Sequence, residues 1–263
     1  MGLFDRLFGR KSSRIERPTE EPQEEARANP AAAPTPPAAA PPSPQDQARA
    51  AEAERLMIDL LDEMVTSAAT ALARRGRGGA ANTVYTMAAV AGQMAQAGAI
   101  RARAVAGLPL QAPDVVSAGT RDGRTYIFGD AIAAALIGQA KDPGVLWLAA
   151  GTAGLPLDQT ILADLFGHAA STVGKPDFGR PRVDAGVSEE LTIDQAVLDV
   201  RVVAPSLTRR EIGQPLWTRM TALATRHALL AAARSRDMQA LGRMALDAAV
   251  AGSRIHFEDI ARG

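Results

Sequence analysis

The sequence predicts a mainly α-helical domain with one small β-hairpin, preceded by a disordered Ala/Pro-rich linker and a short N-terminal amphipathic helix. Three observations lead there. From Ser43 onward, apolar residues recur at helical spacing between residues that cap helices. Only one place, around Asp122-Gly123, has β-forming residues on both sides of a tight-turn pair. Between Asn29 and Pro42 the chain is almost entirely alanine and proline, which cannot build a core.

Composition narrows the chemistry. The 263 residues carry no cysteine, a net charge of zero and an apolar fraction of 47%. Without cysteine there is no disulfide framework, thiol nucleophile or thiolate metal site. Aromatics at 4% leave too few rings for a single-strand nucleic-acid platform. The bias of 26 Arg against Lys11, Lys141 and Lys175, with abundant Ala and Gly, suggests a GC-rich bacterial genome. The longest apolar stretch, Ala131 to Leu157, is broken by Lys141 and Asp142, short of the roughly 20 residues a membrane span needs. No secretory signal is read at the N-terminus, so a cytoplasmic location is expected.

Residues 1–14 are the first element. Leu3, Phe4, Leu7 and Phe8 share one helical face, and Arg6, Arg10 and Lys11 lie around or after it. Residues 1–17 hold five basic and two acidic side chains, a net of +3. Such a helix can lie in a membrane interface. Burial of the four side chains gives at most ~6–12 kcal/mol. Ordering the segment costs on the order of 1–2 kcal/mol per residue, and each cation near an anionic leaflet adds about 1 kcal/mol. The sum is near balance, so one copy binds reversibly and a homo-oligomer is expected to supply avidity. Over about ten residues the segment resembles the membrane-targeting helices that begin bacterial peripheral proteins such as cell-division factors. Docking on its own domain or a partner groove is the competing reading. Myristoylation is rejected because Arg6 stands where Ser or Thr is required.

Residues 15–43 form the linker: Glu20, Glu21, Glu24 and Glu25, then the Ala/Pro run, which favours extended polyproline backbone. The remainder, 44–263, is the helical domain, compatible with a division into 44–110 and 111–263. Ser43-Pro44-Gln45-Asp46 starts a helix running to about Arg75. Its stripe includes Leu56, Leu60, Met64 and Leu72. The basic turn Arg74-Arg75-Gly76-Arg77-Gly78-Gly79 matches neither the Walker nor the dinucleotide pattern and reads as a helix C-cap. Asn82 is expected to cap a second helix to about Val105. Val115–Ser117 and Thr125–Phe128 form the hairpin. Helices are then expected from Gly129-Asp130, from Asp142-Pro143 and from an Asp158 cap. A polar loop covers 174–187, and a helix covers about 188–204, ending before Pro205. Thr208 and Glu211 form a capping box, and the last helices cover about 215–235 and 237–251.

No constellation reads as catalytic, metal-binding or cofactor-binding. Asp164, His168 and Ser171 fall on one helix face, whereas triad members converge from separate elements. They read as a solvated face with an Asp164–His168 ion pair. Asp177-Phe178-Gly179 copies a kinase tripeptide without its companions. His227, on the stripe Leu216, Met220, Leu223, His227, Leu230, reads as half-buried and hydrogen-bonded. Asp130, Asp164, His168, Lys175, Arg180 and Arg182 are the candidates for a polar site. Residues 209–243 are net +5 and residues 158–199 net −5, which suits intramolecular pairing. Nucleic acid is not an expected partner, because no reader motif is present.

The expected function is a non-catalytic bacterial adaptor or scaffold. Its N-terminal helix would tether it to the anionic cytoplasmic face of the inner membrane, with an unidentified protein partner. Two alternatives stand beside it. One is a hydrolase with a site near Asp130, His168 and the 174–182 loop. The other is a soluble protein-binding module whose N-terminal helix docks on a partner.

Overall fold

The computed structural model describes residues 43–121, 123–183, 192–233 and 237–256. The expected docking residues Leu3, Phe4, Arg6, Leu7, Phe8, Arg10 and Lys11, with the linker to Pro42, lie outside them. What is described is mainly helical with two small two-stranded antiparallel sheets. None of its helices is long and apolar enough to cross a membrane.

Helix α1 (Pro44–Arg74) begins as its sequence dictates. The Ser43 Oγ accepts the Asp46 amide at 3.2 Å, and Pro44 occupies the first helical position, where no N–H is needed. Only its second half is buried, through Leu60, Leu61, Met64, Ala68 and Leu72.

Helix α2 (Ala80–Val105) is the centre of the molecule. It is buried along most of its length, and the later helices gather around it. Its N-cap is Gly79, at φ 142°. Asn82, expected there, instead sits inside the first turn and donates to the Arg77 carbonyl at 2.9 Å. Small residues let α2 be this central. A Cβ on Gly92 would lie 2.0 Å from the Ala249 carbonyl oxygen, and one on Gly252 would lie 2.4 Å from that of Ala89. The two helix backbones therefore touch. A buried glutamine also serves the junction: Gln96 donates to the carbonyls of Ser253 at 2.8 Å and Ile255 at 3.2 Å, satisfying acceptors at a buried helix end.

The hairpin forms as expected. Strands β1 (Val116–Gly119) and β2 (Thr125–Phe128) pair in the register Val116–Phe128 to Gly119–Thr125. A hairpin alone is marginal. Here strand β2 buries both Tyr126 and Ile127, which point to opposite faces of the hairpin, and Tyr126 bridges to Ile255. Helix α3 (Asp130–Ile137) follows. Asp142-Pro143 was expected to open a helix; it pairs instead with Gly138-Gln139 as a second small ladder of β3 (Gly138–Gln139) and β4 (Asp142–Pro143). Gly144 then caps α4 (Val145–Ala153). Close approach explains this: a Cβ on Gly138 would meet the Gly144 nitrogen at 2.1 Å. Asp158 caps α5 (Gln159–Thr172) by accepting the Ile161 amide at 2.9 Å, as expected.

Two helices replace the single one read at 188–204: α6 (Ile193–Leu198) and α7 (Val200–Arg209). Pro205 does not end α7 but sits within it. An interior proline costs about 3 kcal/mol, offset here by burying Val200, Val203 and Leu207 on one face. The capping box also fails. Thr208 is inside α7, bonded to the Ala204 carbonyl at 3.2 Å, and Glu211 has a left-handed φ of 55° beyond its end. A 3₁₀ turn (Gln214–Leu216) leads into α8 (Trp217–Ala232), and an Asp237 cap starts α9 (Met238–Gly252). The apolar stripe read on α8 runs along the edge of its buried face, with Met220 buried and Leu223 packed half-buried against the core. Leu216 and Leu230 are half exposed, while Met220, Ala224, Ala228 and Leu229 are buried. The choice fits a helix pressed against the alanine-rich α2, which admits small side chains best. His227 matches expectation, half-buried and 2.6 Å from Asp62.

Ion pairs stitch distant segments together. Arg209 and Arg210 both reach Glu63, and the Arg209 hydrogen bond is the chief influence holding that carboxyl below its usual range. Arg124 meets Asp194 at 2.6 Å. Arg254 differs. It is 1% exposed, its guanidinium lies 5.2 Å from both the Phe128 and Phe166 ring centres, and its Nε and Nη1 meet no partner among the described residues. Burial pulls it down from the ordinary arginine value to about 10, so it is still charged at neutral pH. The cost is on the order of 3 kcal/mol, and the two rings return ~1–2 kcal/mol. Below pH 10 the full cost applies. Above pH 10, up to the ordinary arginine value, the unfolded chain holds a proton the folded chain has shed, so stability rises with pH across that window. Arg254→Met is expected to raise stability by about 1–3 kcal/mol in urea unfolding at pH 7; a loss would show that the cation is compensated.

Candidate functional site

A cavity of about 330 Å³ opens between α5, α9 and the α4–α5 connection. Leu155, Ile161, Leu165 and Leu246 form its apolar wall, and Asp164, Arg182, Arg243 and Asp247 its polar side. Small-ligand pockets combine these two kinds of lining.

Arg182 organises the polar side. Helix α9 supplies Asp247, a carboxylate in an otherwise apolar run from Ala245 to Val250 and only 7% exposed. Arg182 answers it completely. The backbone N–H donates to Oδ2 at 3.0 Å, Nε to Oδ1 at 3.2 Å and Nη2 to Oδ1 at 2.8 Å. The remaining fork arm, Nη1, donates to the Asp164 Oδ2 at 2.6 Å. Burial pulls the guanidinium pKa down, but the hydrogen bonds and charges of Asp247 and then Asp164 outweigh it and raise the value. A proton held this firmly takes no part in acid–base exchange. The arrangement locks the segment after α5 onto α9.

Of the residues the sequence singled out, the structure joins Asp164 and Arg182 in this cavity. The other four do not line it. Asp130 is buried at the start of α3, its amide bonded to the Pro113 carbonyl at 3.1 Å. His168 stands one turn beyond Asp164, and the expected ion pair between them is replaced by Asp164–Arg182. The Ser171 hydroxyl donates to the His168 backbone carbonyl at 2.9 Å and not to its ring. Lys175 and Arg180 are exposed on the turns that follow α5. The sequence reading missed Asp247 and Arg243. A lone carboxylate amid five apolar neighbours was the available signal for Asp247, since such a group demands a partner. Arg243 gave none.

The kinase-like tripeptide has a structural role. Phe178 is buried and meets Tyr126 edge-on, with ring centres 5.1 Å apart and planes at 82°. The buried Tyr85 hydroxyl donates to the Gly179 carbonyl, and burial drives that phenol's pKa far up. Gly179 has φ 73°, and a Cβ there would lie 2.5 Å from Ile193. Among the described residues, no group of three or more His, Asp or Glu side chains could hold a metal ion.

Comparison with protein-family models, with curated proteins and with solved structures finds no match to this chain.

Proposed function

We propose that the chain is a non-catalytic adaptor. In this reading Leu3, Phe4, Leu7 and Phe8 dock it on the anionic cytoplasmic face of the inner membrane, and the helical body receives a protein partner. The observation that carries the partner half is the front of α1. Residues 44–59 are exposed throughout, an arm of about 24 Å at 1.5 Å per residue. The stripe buried as Leu61, Met64, Ala68 and Leu72 continues onto this arm as Ala50, Ala53 and Met57, with none of the other described residues over it. Leu56 and Ile58 flank it, 53% and 46% exposed. A free apolar helix face in register with a buried one supports docking by another helix.

Vesicle flotation of the full chain tests the membrane half. Vesicles rich in phosphatidylglycerol are expected to carry the protein up, and the Phe4→Asp/Phe8→Asp variant is expected to remain in the dense fraction. Equal flotation of the two proteins, or flotation of neither, rejects the anchor. The soluble binding-module reading would then stand, because the open α1 arm supports it independently of lipid.

A further inference from the structure

The cavity between α5 and α9 carries opposite surplus charges on its two helices. Arg182 is one cation shared between two carboxylates. Its backbone N–H, Nε and Nη2 all go to the buried Asp247, and only Nη1 goes to Asp164. Asp247 is thereby matched, and Asp164, 65% exposed, keeps most of its negative charge. Its Oδ1 accepts from none of the described residues. Arg243 stands one turn before Asp247 on the same face of α9. It lines the cavity, is exposed, and makes no hydrogen bond or ion pair with the described residues. Among those residues the polar side is neutral in sum, two carboxylates against two guanidiniums. It is split into an unmatched anion on α5 and an unmatched cation on α9, both bordering one apolar wall.

We propose that this cavity binds a free α-amino acid with an aliphatic side chain. Charge selects a zwitterion. A plain anion would gain Arg243 but meet the repulsion of Asp164, and a plain cation would meet the reverse. A zwitterion places its ammonium on the Asp164 Oδ1 and its carboxylate on the Arg243 fork, both charge-assisted hydrogen bonds. Spacing suits two groups carried on one carbon. Asp164 and Asp247 share a single guanidinium, at 2.6 and 2.8 Å, and Arg243 starts one helical turn, about 5.4 Å, from Asp247. The third substituent of that carbon then lies against Leu155, Ile161, Leu165 and Leu246. Each methylene buried there is worth about fourfold in affinity. Size limits the ligand, since about 330 Å³ is near the lower end of ligand cavities and suits a single residue. The bound amino acid ties α5 to α9 alongside Arg182. The inference is independent of the adaptor reading and of the N-terminal helix.

The test titrates the full chain with L-leucine and three analogues, following amide NMR shifts. It needs no lipid, so its outcome is separate from that of flotation. At about pH 6.5 the α-amino group of every probe that has one is protonated. L-Leucine is expected to shift the amides of residues 155–165 and 243–247 saturably, while sparing residues 60–75. Glycine lacks the apolar group, 4-methylpentanoate the ammonium, and leucinamide the carboxylate. Each is expected to bind about tenfold more weakly or worse. In Arg243→Gln, leucine and leucinamide are expected to bind alike, and in Asp164→Asn, leucine and 4-methylpentanoate. Each variant removes only the partner of the group its analogue lacks, so general loss of structure cannot produce this pattern. The proposal is overturned if L-leucine gives no saturable shift up to about 20 mM, well above a millimolar dissociation constant. It is equally overturned if wild-type protein binds 4-methylpentanoate as tightly as leucine, which would make the cavity a site for anionic amphiphiles. An unchanged leucine-to-leucinamide ratio in Arg243→Gln would also sink it.

Discussion

Replacing Gly92 with alanine is expected to destabilise the protein by about 3 kcal/mol or more. Gly151→Ala, the same change on another helix, is expected to stabilise it by about 0.5–1 kcal/mol. The difference is entirely one of surroundings. At Gly92 the added methyl would sit 2.0 Å from the Ala249 carbonyl oxygen and 2.9 Å from the Ser253 nitrogen. Both are backbone atoms of another helix, so no rotamer change relieves the overlap. Helix α9 would have to move off α2 as a body. It would take with it the Gln96 hydrogen bonds and the Tyr126–Ile255 bridge. At Gly151 nothing lies within 4 Å, and alanine only removes backbone freedom from the unfolded chain. Urea midpoints of the two variants should shift in opposite directions. A Gly92→Ala protein as stable as the wild type would mean that the α2–α9 contact is looser than described.

Arg182→Ala is expected to cost about 2–4 kcal/mol by the same measurement. Removing the arginine strips the Nε and Nη2 hydrogen bonds and the opposing charge from Asp247, which is 7% exposed while the pair is intact. The arginine is 35% exposed, so water enters to solvate the orphaned carboxylate, which keeps the figure below that of a fully buried pair. Asp164, 65% exposed, loses little. The double variant Arg182→Met/Asp247→Leu separates the pair's net worth from the penalty of breaking it. It is expected to recover most of the loss, since the cavity wall is already apolar. A double variant no more stable than Arg182→Ala alone would show that the ion pair itself holds the segment in place.

Local signals were legible wherever a residue acts on its immediate neighbours. Ser43, Asp158 and Asp237 cap the helices they precede, and the Arg121–Arg124 turn closes a hairpin, because each depends on bonds two or three residues away. Misreadings occurred where a distant partner outweighs such a preference. Pro205 remains inside α7 because its apolar face is buried. Thr208 loses its capping role to the same helix. Asp142-Pro143 is drawn into a ladder because Gly138 and Gly144 permit backbone contact. At the candidate site, residue type was readable and partnership was not. Asp164 has a histidine one turn away, yet it pairs with an arginine 18 residues on. A guanidinium fork already fixed by Asp247 presents its free arm at 2.6 Å, and the imidazole does not.

By itself, then, the sequence determined the helical class, the hairpin, most helix starts, and a polar, proline-rich front end that cannot bury enough apolar surface to build a core. Tertiary structure alone decided that α2 lies at the centre and that Asp247 is the site's buried charge. The physical reason is range. Capping and periodicity act within a turn or two of backbone. Contact through a missing Cβ, or a shared guanidinium, depends on where two segments separated by tens or hundreds of residues come to rest.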